Sequence, residues 1–169
     1  MDRLWSPWRL QYVVGNTRPA TGCVFCDAAR PPDPASLIVC AGDRSYVVLN
    51  LYPYNSGHLM VVPVRHVATL AELTTEELQE VATLTQRSEA VLAAAYQPDG
   101  INVGINIGKA AGAGIHEHLH VHLVPRWNGD TNFMTVVGET RVLPEALTET
   151  AVRLRRLFDG DVSVDASAK

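Results

Sequence analysis

The chain is short of charge. Only 19% of its 169 residues are Asp, Glu, Lys or Arg, 47% are apolar, and the formal net charge is -4. Such a composition is that of a globular protein and does not suggest a disordered chain. It also gives no broad basic surface able to follow a nucleic-acid backbone, which needs many cationic side chains on one face. No nucleic-acid partner is expected, and any anionic ligand must be held locally. Long apolar runs are absent: no window approaches the roughly 20 residues that span a bilayer. The start, MDRLWSPWRL, carries charges where a signal peptide needs an apolar stretch. The expectation is a cytoplasmic protein with no membrane partner. Cysteine is scarce too. Cys23, Cys26 and Cys40 form an odd set in which only the first two are close, unlike the disulfide framework of a secreted protein.

At this length one compact domain with a single core is expected. Residues 1–22 read as an irregular arm with two tryptophans in Leu4-Trp5-Ser6-Pro7-Trp8-Arg9, residues 23–160 as the domain, and residues 161–169 as a small-residue, disordered tail. Arg30-Pro31-Pro32-Asp33-Pro34 marks an exposed loop. Strands are predicted over Ser45 to Asn50 and Leu59 to Val64, with Pro53 and Gly57 turning the chain between them, and over Ile101 to Ile107 and His118 to Val124. Thr74-Thr75-Glu76-Glu77 has the form of a capping box. Leu78, Val81, Ala82, Leu84, Val91, Leu92 and Ala95 then recur at helical spacing until Pro98-Asp99-Gly100 ends the main helix. A weaker helical pattern runs from Pro144 to Phe158.

Four of the six histidines lie within seven residues, in His116-Glu117-His118-Leu119-His120-Val121-His122-Leu123-Val124-Pro125. In a strand His118, His120 and His122 share one face, while Leu119, Val121 and Leu123 share the other. Imidazole titrates near neutrality, and its nitrogen serves as nucleophile, acid or metal ligand according to what the other nitrogen bonds. Three readings fit: polar residues on a solvated face, a metal-binding triad with an open position, or a phosphate site. The loop before the histidines favours phosphate. Asn102 and Asn106 precede it, and Gly108, Gly112 and Gly114 allow backbone amides to cradle an anion, with Lys109 adding a charge.

These residues resemble the histidine-triad (HIT) family, whose motif, His-φ-His-φ-His-φ-φ with φ apolar, is met by His118-Leu119-His120-Val121-His122-Leu123-Val124. The resemblance extends from Cys23 to Trp127. It includes Asn50-Leu51-Tyr52-Pro53-Tyr54-Asn55-Ser56-Gly57-His58, similar to the family's ribose-binding turn. It implies an α+β fold, with a five-stranded antiparallel sheet, one long helix and a C-terminal helix. It also implies a homodimer or higher homo-oligomer in which protomers join their sheets, and the middle histidine, His120, as nucleophile. Leu4 to Arg9 and Pro125-Arg126-Trp127-Asn128-Gly129-Asp130-Thr131-Asn132-Phe133-Met134 resemble a bacterial branch that includes diadenosine tetraphosphate phosphorylases. That branch implies a nucleotidyltransferase using a nucleotide substrate and inorganic phosphate to give ADP and ATP. A hydrolase using water and a nucleotide-binding interaction module are the competing functions. Two departures bear on the acceptor: some relatives carry Gln where this chain has His122, and many hydrolase members carry Gln and Ser at the positions of Gly114 and Ile115.

The expected site follows. Asn50 holds the ribose, His58 and apolar side chains of Tyr46 to Leu51 flank the base, and Asn106, Lys109, Gly112 and Gly114 line the phosphates. His120 attacks the α-phosphorus while His122 and the loop amides offset oxygen charge, with His118 completing the triad. Activity should fall below about pH 6 to 6.5, where the nucleophile protonates. Cys23-Val24-Phe25-Cys26 reads as a zinc half-site, a redox dithiol or a coincidence. In zinc-bearing relatives the partners correspond to His66 and His118, so the resemblance implies a closed, structural Cys23, Cys26, His66 and His118 site, with His116 an alternative to His118. Cys40 is expected to be an ordinary buried residue.

Overall fold

The computed structural model describes residues 22–29, 36–130 and 145–160. The N-terminal arm, the proline-rich loop, the tail and the stretch from Thr131 lie outside the described residues.

Among the described residues, ten segments of regular structure follow one another. They are α1 (Val24–Ala28), β1 (Ile38–Ala41), β2 (Ser45–Leu49), β3 (Leu59–Pro63), a 3-10 turn (Leu70–Glu72), α2 (Thr75–Tyr96), β4 (Gly100–Ile105), a second 3-10 turn (Lys109–Ala111), β5 (Val121–Arg126) and α3 (Leu147–Asp159). The five strands form one sheet in the order β1-β2-β3-β5-β4, with every neighbouring pair antiparallel. This is the expected α+β architecture with one long helix and a C-terminal helix.

The central strands read as continuous apolar runs because both sheet faces are covered; every residue of β2 and β3 is buried. On one face Val47, Leu49, Leu59, Val61, Val121 and Leu123 pack with α2 and α3 residues including Val91, Leu92, Leu154 and Phe158. On the other, Tyr46, Val48, Met60 and Val62 pack under Phe25 of α1. Each fully buried Leu, Val or Phe contributes about 1.5–3 kcal/mol. The larger cluster therefore carries most of the stability, and the second face is available for chemistry.

The capping box forms as predicted. The Glu77 amide donates to Thr74 Oγ1 (3.3 Å), and the Thr74 amide donates to Glu77 Oε2 (2.8 Å). Helix α2 ends at Gln97, in the left-handed region at φ 44°. Its buried stripe is Val81, Leu84, Ser88, Val91 and Leu92; Leu78 and Ala82, which the sequence pattern assigns to the apolar face, are exposed. In the first turn Glu77 takes the inward position instead, because Arg65 grips its carboxylate at 2.8 and 2.6 Å.

Two further corrections concern strands. β1 is absent from the predicted strands: it has four residues, a register shift between Ile38 and Cys40, and an edge position. β5 begins at Val121, three residues later than expected, so His118 and His120 sit on the connection entering the strand and only His122 lies within it.

Candidate active site

Within the turn joining β2 to β3, residues 50–58, Asn50 closes both ends. Its amide donates to the His58 carbonyl (2.9 Å), and its Oδ1 accepts from the Tyr52 amide (3.0 Å). Gly57 is required at φ 76°, and a Cβ there would come within 2.6 Å of the Tyr96 ring. The turn thereby delivers His58 to the inside.

His58 is fully buried, with its ring 4.8 Å from Tyr54 and 5.1 Å from His122. The Tyr54 amide donates to its Nδ1 (3.1 Å), so that nitrogen is an acceptor and the proton sits on Nε2. Nε2–H then donates to His122 Nδ1 at 2.9 Å. Neutral His122 accordingly carries its own proton on Nε2. With both nitrogens bonded, this buried ring orients His122.

His120 has the opposite arrangement. Its Nδ1–H donates to the His118 carbonyl (2.8 Å), which leaves Nε2 with a lone pair. The ring is bracketed by Phe25 at 5.0 Å and by His122, edge-on, at 4.7 Å. Burial pulls its pKa below the ordinary 6.5, opposed by the carbonyl bond. Two adjacent rings thus present complementary nitrogens, a lone pair on His120 and a donor on His122.

His118 packs on the same Phe25 ring as His120, at 5.4 Å, and turns toward the cysteines as the resemblance implies. Its Nε2–H donates to the Pro63 carbonyl (2.8 Å), and its Nδ1 lies 3.3 Å from Cys23 Sγ and 3.6 Å from Cys26 Sγ. His66 Nδ1 stands 3.3 Å from Cys26 Sγ, and the four ligand atoms all lie within 4.8 Å of one another. Donors at the corners of a tetrahedron around zinc, with bonds of about 2.0–2.3 Å, are about 3.3–3.8 Å apart. Three of the separations, 3.3, 3.3 and 3.6 Å, fall in that range, so the set could hold that ion, and the Pro63 carbonyl turns the His118 lone pair toward it, as partners of metal-bound histidines do. The structure gathers His118 into this cluster; His116 instead stands 3.9 Å from Glu117. None of the three cysteines is disulfide-bonded, and Cys40 is half-buried against the helix-side core.

The loop from β4 to β5 carries Asn106, Lys109, Gly112 and Gly114. Gly104 pairs with His122 and Ile105 with Val121, and Asn106 follows directly after that last pair. Gly108 (φ 81°) and Gly112 (φ 86°) bracket the Lys109–Ala111 turn, and Lys109 and Gly114 are exposed. Sequence reasoning missed the parts that orient the rings: Phe25, the Tyr54 amide, the Pro63 carbonyl, and the Tyr46 hydroxyl that holds the Phe25 carbonyl at 2.7 Å. An aromatic residue between the two cysteines is the available signal for Phe25; backbone groups leave none.

A five-stranded antiparallel sheet presenting a histidine cluster beside a glycine-rich loop is the arrangement of histidine-triad proteins. Residues 33–129 match the HIT domain, and the chain belongs to that family. It is 43% identical over 157 residues to the AP-4-A phosphorylase of Mycobacterium tuberculosis, covering 89% of this chain and 80% of that protein. Among solved structures it is similar to a zinc-bound histidine triad family protein from Mycobacterium smegmatis, with TM-score 0.64 and 27% identity over 82% of this chain and 94% of the other. It is also similar to a hypothetical histidine triad nucleotide-binding protein from Sulfolobus tokodaii, with TM-score 0.66 and 27% identity over 81% and 92%.

Proposed function

We propose that this chain is a nucleotidyltransferase that cleaves diadenosine tetraphosphate with inorganic phosphate, giving ADP and ATP through a nucleotidyl-histidine at His120. The observation that carries this is the paired tautomer state: an unprotonated Nε2 on His120 beside a protonated Nε2 on His122. The mycobacterial relative named AP-4-A phosphorylase supports the substrate.

His120 Nε2 attacks the α-phosphorus, forming a P–N bond as the bond to the bridging oxygen breaks, and ATP departs. The imidazolium charge is shared with the His118 carbonyl through Nδ1–H, while His122 Nε2–H donates to a phosphoryl oxygen that gains charge. An oxygen of inorganic phosphate then attacks the same phosphorus, the P–N bond breaks, and ADP leaves with His120 restored. Asn50 takes the ribose, and Asn106, Lys109, Gly112 and Gly114 take the phosphates.

Cys23, Cys26, His66 and His118 would hold a structural zinc, which supplies a crosslink between α1 and the segment carrying His120. The zinc-bound relative supports this. Protomers pair along β4, because the Ile38 carbonyl on the opposite edge is already taken by Arg155 (2.8 Å), whereas Val103 on β4 is 51% exposed. Residues 23–160 act as one domain, in the cytoplasm. No described helix is long and apolar enough to cross a membrane.

Incubation with diadenosine tetraphosphate, with and without phosphate, tests the proposal. ADP plus ATP formed only when phosphate is present supports it; AMP plus ATP formed regardless of phosphate would assign the acceptor to water.

A further inference from the structure

Residues 125–130, at the end of β5, take no part in the chemistry above, yet they grip the nucleotide turn. Asn55, within that turn, directs its side-chain amide at this segment: Nδ2 donates to the Pro125 carbonyl (3.1 Å) and to Asp130 Oδ2 (2.9 Å), partners 70 and 75 residues away. Asp130 is held in turn by a two-point grip from Arg126, Nε at 2.5 Å and Nη2 at 2.8 Å, and by the Trp127 amide at 3.3 Å. The other Arg126 nitrogen donates to Asn102 Oδ1 on β4 (3.0 Å). The Asp130 side chain is 11% exposed. A carboxylate so placed is destabilising without partners, and here it has them.

We propose that Asp130 and Asn55 form a latch that docks the nucleotide turn onto the end of β5, making Asn55 a positioning residue for the reaction. The proposal rests on the reading of this turn as part of the nucleotide site. Its route to the chemistry is short. The Asn55 carbonyl accepts from the His58 amide (3.2 Å), and the His58 ring sets the tautomer of His122. Releasing Asn55 frees His58 to move, and His122 loses the donor that fixes its proton on Nε2. Tyr96, packed against Gly57 from α2, backs the turn through ring contact, which does not select its register on β5.

The test uses the full-length protein with Asn55→Ala, Asp130→Ala and the double variant. The readouts are kcat and KM for diadenosine tetraphosphate with phosphate, thermal midpoint, and the His122 tautomer from imidazole nitrogen chemical shifts. We expect each single variant to lower kcat/KM about tenfold, the size of losing one hydrogen bond to a charged group. The double variant should cost no more than the larger single one, since the two side chains act as one unit. His122 should pass from Nε2–H alone to a mixture. If Asn55→Ala lowers only the thermal midpoint, with kcat, KM and tautomer as in the parent, the latch is a plain structural staple and the proposal is overturned. If the parent itself does not turn this substrate over, the functional reading fails, and the tautomer shift alone decides the latch. Should Asn55→Ala not fold, Asn55→Asp, which keeps the shape of the side chain and removes the donor, decides the latch by the same readouts.

Discussion

His58 Nε2 and His122 Nδ1 stand 2.9 Å apart, and the proton between them belongs to His58, because the Tyr54 amide occupies the other nitrogen of that ring. The Tyr54 amide, with Asn50 Nδ2 also 3.3 Å from the same His58 nitrogen, thus decides through the His58 ring which nitrogen of His122 is a donor.

Replacing His58 by Phe keeps the volume of the buried ring and removes the donor to His122. Steady-state kinetics should show kcat reduced about 10- to 100-fold, the usual cost of removing an orienting partner, with KM changed less. An unchanged kcat would separate His58 from the chemistry.

Atomic emission analysis of gently purified protein should find one zinc per chain, and Cys26→Ser or His66→Ala should fall well below that. Because the cluster ties α1 and Phe25 to His120, metal removal should lower the thermal midpoint by roughly 5 °C or more; at this size 1 kcal/mol moves it about 2–4 °C. Absence of zinc from the parent protein would contradict the site.

Glu77 supplies a pH signature of the fold. The Arg65 guanidinium, followed by the Thr74 amide, holds its carboxyl at about 2, well below the ordinary 4.5. A depressed carboxyl stabilises the folded state fully above its unfolded value, so this contribution is present above about pH 4.5 and is lost as pH falls toward about 2. Denaturant midpoints measured across that window should fall more steeply for the parent than for Glu77→Gln. Parallel profiles would assign the acid sensitivity to other groups.

Much of this architecture is legible in the sequence because the signals are local. The capping box at Thr74, the buried runs of β2 and β3 and the alternate histidines are patterns a few residues long, and the first two fold as read. β1 escapes because a four-residue edge strand buries too little to leave a period. The orientations of His58 and His118 are not legible for another reason: a histidine's task depends on which nitrogen is occupied, and the occupants are the Tyr54 amide and the Pro63 carbonyl. Backbone groups are the same in every sequence, so only the fold shows where they point. Asn55 and Asp130 escape likewise, because 75 residues separate the two halves of the latch.

The most direct test of the central claim is rapid acid- or base-quenched mixing with diadenosine tetraphosphate labelled at the α-phosphate, followed by peptide mapping. Label bound through nitrogen to the peptide containing His120, formed faster than products and lost in His120→Asn, is the predicted result. Steady turnover with no covalent label, or label on another side chain, would contradict the account.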